Sequence, residues 1–146
     1  LHTIVCDTDF LIKIVTQPLP KVEPEFFSSN RFVTIANVER ELVGLSRRDN
    51  SRVSKEAKSV LRMIRETDKI QIASLDEHRD SRSETDNLLF EFVKTDQSNR
   101  ILATLDGSLL SRLEKKKLPY VTLRNNRLYF SRSERATYLS TKRIIS

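Results

Sequence analysis

Short apolar runs rich in β-branched residues recur along this chain, and helical spacing fills the gaps between them. Thr3-Ile4-Val5-Cys6 reads as a buried strand, Ile70-Gln71-Ile72-Ala73 as a second, and Ile101-Leu102-Ala103-Thr104 and Pro119-Tyr120-Val121-Thr122-Leu123 as further strands, while Phe32-Val33-Thr34-Ile35 leads into Asn37. Between them, Ala57, Val60, Leu61 and Ile64 follow i, i+3, i+4, i+7 spacing, the clearest helix signal in the sequence. Phe10 to Val15 reads as a short helix, and Pro18, Pro20 and Pro24 as an irregular crossing. Asn37 is expected to cap a helix that turns Val38, Leu42 and Leu45 inward. A polar, exposed loop is expected over 74–83, followed by a helix from Ser83-Glu84-Thr85-Asp86 that carries Leu88, Leu89, Phe92 and Val93. Asp106 opens another with Leu109, Leu110 and Leu113 inward, and Asn125-Asn126 turns the chain into Leu128-Tyr129-Phe130. Strands alternating with helices at these intervals imply βαβ units and a mainly parallel sheet covered on both faces, so the class is α/β.

A chain of 146 residues suits one domain. Residues 1–131 are read as that domain and 132–146 as a basic tail with weak apolar periodicity. The tail is expected to order only against RNA, a partner protein or a second subunit, which leaves a homodimer open. No apolar run approaches the roughly 20 residues a bilayer span needs, and no secretory signal is seen, so a cytoplasmic chain without membrane contact is expected. With one Cys and two His, a four-ligand zinc site cannot be built. With only Gly44 and Gly107, the usual glycine-rich phosphate loops are excluded as well. Any metal would have to be held by oxygen.

The charge is unevenly spread. Residues 107–146 hold ten of the 26 basic residues and two of the 20 acidic ones, so the net +6 divides into +8 there and −2 in the first 106. Arg112, Lys115, Lys116, Lys117, Arg124, Arg127, Arg132 and Arg135 form a candidate surface for the backbone of a polyanion such as RNA. Tyr120, Tyr129 and Phe130 lie among these charges but in strand-like stretches, and read as core rather than as base-stacking platforms.

In a parallel sheet, ligands bind beyond the carboxyl ends of the strands. Asp7 follows the first strand and Asp106 the strand at 101–104, which puts both at one edge. Asp86 sits in the first turn of a helix and Glu41 beside the inward Leu42, so acids from four distant segments can meet there. Grouped carboxylates raise one another's pKa unless a cation neutralises them, and Mg²⁺ or Mn²⁺ suits oxygen ligands. Each acid also has a plain role: Asp7 and Asp9 can cap the next helix, Asp86 can complete a capping box begun at Ser83, Asp106 is a good N-cap, and Glu41 suits a solvated helix face.

Several segments together resemble the PIN-domain nuclease family. Asp7-Thr8-Asp9-Phe10-Leu11-Ile12 looks like its D-T-N/S-x-L-I opening, and Val38-Glu39-Arg40-Glu41-Leu42 like its V-x-x-E-L helix. Thr85-Asp86-Asn87-Leu88-Leu89 is similar to its A-D-x-x-I/L helix start, and Thr104-Leu105-Asp106-Gly107-Ser108-Leu109 to its T-N-D-x-x-L segment. Leu118-Pro119-Tyr120-Val121-Thr122-Leu123-Arg124 resembles the ending of the archaeal and eukaryotic ribosome-processing subgroup.

The resemblance implies a three-layer α/β/α sandwich and a metal-dependent endoribonuclease with Asp7, Glu41, Asp86 and Asp106 as catalytic acids and metal ligands. By that analogy one or two Mg²⁺ or Mn²⁺ ions sit between them, and in-line attack by water on RNA leaves 5′-phosphate and 3′-hydroxyl ends. Thr8, Asp9 and Thr104 would support the ligands from behind, and precursor ribosomal RNA and ribosome-assembly proteins become the expected partners. Two departures stand out: Asp9 replaces the usual Asn or Ser, and Leu105 the frequent polar residue before the last acid. Glu39 and Glu84 are fallback ligands. The same fold also serves toxin nucleases held by an antitoxin, and non-catalytic RNA-binding assembly modules. A phosphoacceptor signalling domain is set aside, because Ile72-Ala73-Ser74 offers no acceptor and no late strand ends in Lys.

Overall fold

The computed structural model describes residues 2–17, 24–75 and 84–131, and the expectations for Pro18 and Pro20, for the polar loop beyond Leu75, for Ser83, and for the 132–146 tail with Arg132 and Arg135 fall outside them. Five parallel strands, β1 (Thr3–Cys6), β2 (Arg31–Ile35), β3 (Ile70–Ala73), β4 (Arg100–Ala103) and β5 (Tyr120–Arg124), are joined by an antiparallel β6 (Arg127–Phe130) in the order β3-β2-β1-β4-β5-β6. Asn125 and Asn126 adopt φ of 52° and 60°, the left-handed pair that a two-residue hairpin between β5 and β6 requires.

The helices are α1 (Thr8–Thr16), α2 (Pro24–Ser28), α3 (Ala36–Ser46), α4 (Arg52–Glu66), α5 (Thr85–Lys94) and α6 (Gly107–Lys115). From β1 the chain steps outward to β2 and β3, then returns past β1 to β4 and β5. Right-handed crossovers therefore put the helices of the two halves on opposite faces, giving the three-layer sandwich. Consistent with this, α1, α3 and α4 pack on one another, while α5 packs on β4 and receives Arg112 of α6 over its Phe90 ring at 4.0 Å. Ile4, Val5, Cys6, Ile101, Leu102, Ala103 and Val121 are buried from both sides, which is why the central strands carry unbroken apolar runs.

Two local expectations, both of helix caps, are corrected. Asn37 does not cap α3: the cap position is Ile35 without a side-chain bond, and Asn37 instead accepts a hydrogen bond from Arg40 at 2.9 Å. Glu84, again without a side-chain bond, takes the cap position of α5, so Asp86 stands in the first turn but not where a box from Ser83 would need it. On α5, Phe90 is buried with Leu88, Leu89 and Val93, and Phe92 packs half-buried against the same core beneath the Arg100 guanidinium at 3.8 Å. The proline-marked crossing also ends in α2, whose Phe26 is buried edge-on against Phe32 at 5.3 Å and Phe130 at 5.9 Å.

Candidate active site

The two halves of the sheet part between β1 and β4, the topological switch point where α/β sheets open a crevice. In-register pairing of Cys6 with Ala103 brings the residues after each strand side by side. A cleft of about 500 Å³ there is lined by Asp7, Thr8, Asp9, Glu41, Gly44, Leu45, Arg48, Thr85, Asp86 and Asp106.

Asp7 is the most enclosed of the acids, 8% exposed. One carboxylate oxygen caps α1 by accepting the Phe10 N–H at 2.9 Å, and the other accepts the Thr104 hydroxyl. The same Thr104 oxygen accepts the Asp106 N–H at 3.0 Å. Asp106 turns one carboxylate oxygen back onto α6, accepting from the Ser108 N–H at 2.8 Å, the Ser108 hydroxyl at 2.7 Å and the Leu109 N–H at 3.1 Å. Its capping role and its place on the cleft are thus compatible, since the second oxygen is not used by the cap. Thr8 donates its hydroxyl to Glu41, tying the start of α1 to α3.

The electrostatics follow from this enclosure. Burial pushes the Asp7 carboxyl up to about 7, against the lowering effect of Thr104 and Phe10 and with added repulsion from Asp9 and Asp86. Asp86 is also raised, first by burial and then by Asp106, Glu41 and Glu84, with Arg112 opposing. Asp106 is lowered, chiefly by its bonds to the Ser108 hydroxyl and the Leu109 N–H. The ion pairs among the described residues, Arg52 with Glu56 and Arg65 with Glu39, lie outside the cleft lining.

Asp9 is exposed on the cleft lining, and Leu105 is half-buried against the core, leaving Thr104 to hold the Asp106 backbone. Glu39 reaches Arg65 at 3.9 Å, and neither Glu39 nor Glu84 lines the cleft. Gly44, Leu45 and Arg48 also line the cleft: Gly44 and Leu45 follow Glu41 at i+3 and i+4 on α3, so helical register is the signal for them, whereas Arg48 stands two residues past the end of that helix. Of the basic residues expected to hold RNA, Arg112 donates to Asn87, and Lys115, Lys116 and Lys117 are exposed at the end of α6. Arg124 and Arg127 are exposed partners across the hairpin, with Arg124 over the Tyr129 ring at 4.0 Å. Tyr120 and Phe130 are buried and Tyr129 half-buried.

The donor set fits a hard divalent cation: every acid offers oxygen, and Asp7 and Asp86 carry repulsion that a cation would relieve. Among the described residues, no three Asp, Glu, His or Cys side chains stand in ready-made metal-holding geometry.

Sheet order and paired helical layers define a mainly parallel α/β sandwich, and its likeness to a solved PIN domain makes the fold PIN-like. Among solved structures, the chain is similar to the PIN domain endonuclease Utp24, with a TM-score of 0.63 at 16% sequence identity, over 89% of this chain and 91% of that one. No family model and no curated protein matches the sequence. No helix among the described residues is long and apolar enough to cross a membrane.

Proposed function

We propose that this chain is a metal-dependent endoribonuclease that hydrolyses RNA phosphodiester bonds, with precursor ribosomal RNA as its substrate class. The observation that carries the reading is the meeting of Asp7, Glu41, Asp86 and Asp106, from four separate segments, on one cleft at the carboxyl ends of the strands. These four would hold Mg²⁺ or Mn²⁺, which when bound supplies positive charge for the scissile phosphate and lowers the pKa of water. Asp7 is fixed for that task by Phe10 and Thr104, and Glu41 by Thr8. Arg48 brings a cation to the cleft wall, suited to a neighbouring phosphate of the strand. The ribosomal substrate rests on the resemblance of Leu118 to Arg124 to the ribosome-processing subgroup.

The test is cleavage of a structured RNA with Mn²⁺ by the native protein, Asp7→Asn and Asp106→Asn. Loss in both variants, with 5′-phosphate and 3′-hydroxyl ends from the native protein, supports the assignment; equal activity in all three overturns it.

A further inference from the structure

The division of charge along the sequence hides a second basic surface. Between Arg40 and Arg65 the chain carries eight basic and three acidic residues, a net +5 inside the first 106, which together are only −2. The fold gathers these cations on the outer sides of α3 and α4. Arg40 on α3 and Arg47 at its C-terminal cap are exposed beside Glu41, Gly44, Leu45 and Arg48, which line the cleft. On α4, Ser54, Ala57, Val60 and Leu61 are buried, while Lys55, Lys58 and Arg62 are exposed on the opposite side.

The two helices form one continuous face. The Ser54 hydroxyl donates to the Ser46 carbonyl at 3.0 Å, and Glu39 reaches Arg65 at 3.9 Å. Among the described residues, Lys55, Lys58 and Arg62 make no ion pair, unlike Arg52 and Arg65. They follow one another over about 10 Å of helix, at the i, i+3, i+7 spacing that stacks long side chains in a row. Left without an ion pair among the described residues, these α4 cations lie across α3 from the cleft lined by Glu41, Gly44, Leu45 and Arg48, where they can hold a polyanion that runs over α3.

We propose that the outer face of α3 and α4, through Arg40, Arg47, Lys55, Lys58 and Arg62, is a binding surface for the RNA backbone that leads into the cleft past Arg48. It is separate from the basic end of α6, and it rests on the nuclease reading for the identity of the polyanion. Single-stranded RNA binds such a row through phosphate contacts, so the affinity is sequence-tolerant and falls with salt.

The experiment measures binding of a labelled 20-nucleotide oligouridine by fluorescence anisotropy in EDTA, across a KCl series, alongside Mn²⁺-dependent cleavage by the native protein. The variants are Lys55→Gln/Lys58→Gln/Arg62→Gln and, for comparison, Lys115→Gln/Lys116→Gln/Lys117→Gln. All six side chains are exposed, so both variants retain the core. The α4 variant is expected to bind at least about tenfold more weakly at low salt, with the slope of log K against log salt reduced by about 2. An α4 variant with native affinity and native slope overturns the surface, and if native cleavage persists, the nuclease reading stands without it. The expected loss of binding with no native cleavage supports the surface and removes the nuclease reading instead. Stronger binding of the native protein to phosphatidylserine vesicles than to RNA also overturns the proposal.

Discussion

Thr104 donates its hydroxyl to the Asp7 carboxylate across a sequence separation of 97 residues, and the oxygen that donates also accepts the Asp106 N–H at 3.0 Å. One buried hydroxyl thereby sets the spacing of two cleft acids from neighbouring strands. Thr104→Val keeps the shape but removes both bonds, leaving the Asp106 N–H without that acceptor and Asp7 with one bond fewer. A loss of about 1–3 kcal/mol in urea unfolding is expected. RNA cleavage should fall about 10–100-fold, as when support behind metal ligands is removed. Thr104→Ser should restore most of both, and an equally damaged Ser variant would show that the methyl packing, not the hydroxyl, is what counts.

Asp7 makes the stability of the metal-free protein depend on pH. Its carboxyl keeps a proton to about 7 in the folded protein but only to about 3.8 when the chain is unfolded. Between those values the folded state binds the extra proton, so stability is greatest at the acid end of the window and declines as pH rises through it. The span corresponds to on the order of 4 kcal/mol for this buried group. In EDTA, Asp7→Asn should flatten the decline between pH 4 and 7 and raise Tm at pH 8. A native and a variant curve that run parallel through the window would contradict this.

Divalent ions should have the opposite pH preference. If the proposed metal site includes Asp7 and Asp86, both of which are raised, protons would compete there with cations. Millimolar Mn²⁺ is therefore expected to raise Tm more at pH 8 than at pH 6, by an amount that grows with ion concentration. Glu41→Gln should reduce the rise. Calorimetric scans at the two pH values, with and without Mn²⁺, measure it, and a shift that is the same at both would point to binding elsewhere.

The end of α6 holds a removable strain. Lys117 has φ of 55°, and Leu118 and Lys117 close the helix by donating to the Leu113 carbonyl at 3.0 Å and the Glu114 carbonyl at 3.1 Å. This pattern wants glycine at the left-handed position, where an L side chain costs about 1–2 kcal/mol. Lys117→Gly should stabilise the fold by about 1 kcal/mol in urea unfolding while lowering RNA affinity through the lost charge. A destabilised glycine variant would mean that the lysine stem packs usefully against the helix end.

Elements were legible wherever sequence period and burial agree. The central strands are apolar without interruption because both faces are covered, and Ala57, Val60 and Leu61 are buried as their spacing requires. The five-residue α2 was not legible, since one turn is too short to display a period and depends on Phe26 meeting Phe32 and Phe130. Asn37 is a good capping residue passed over because α3 begins directly from β2, with no room for a cap loop. At the cleft, strand ends announce Asp7 and Asp106, but Arg48 lies past the end of α3, where no helical period reaches it, and its place on the cleft wall is seen only in the folded chain. The basic face of α3 and α4 escaped for a related reason: a charge total taken over 106 residues averages away what two adjacent helices put on one side.

The central position of β1, between β2 and β4, also sets an order of events during synthesis. The basic helices α3 and α4 are complete by Glu66, and their strands β1, β2 and β3 by Ala73, whereas Asp106 and the β5 strand that supports β4 come later. A chain that ended before β4 would carry every residue of the proposed RNA-binding face and lack the last of the four proposed catalytic acids.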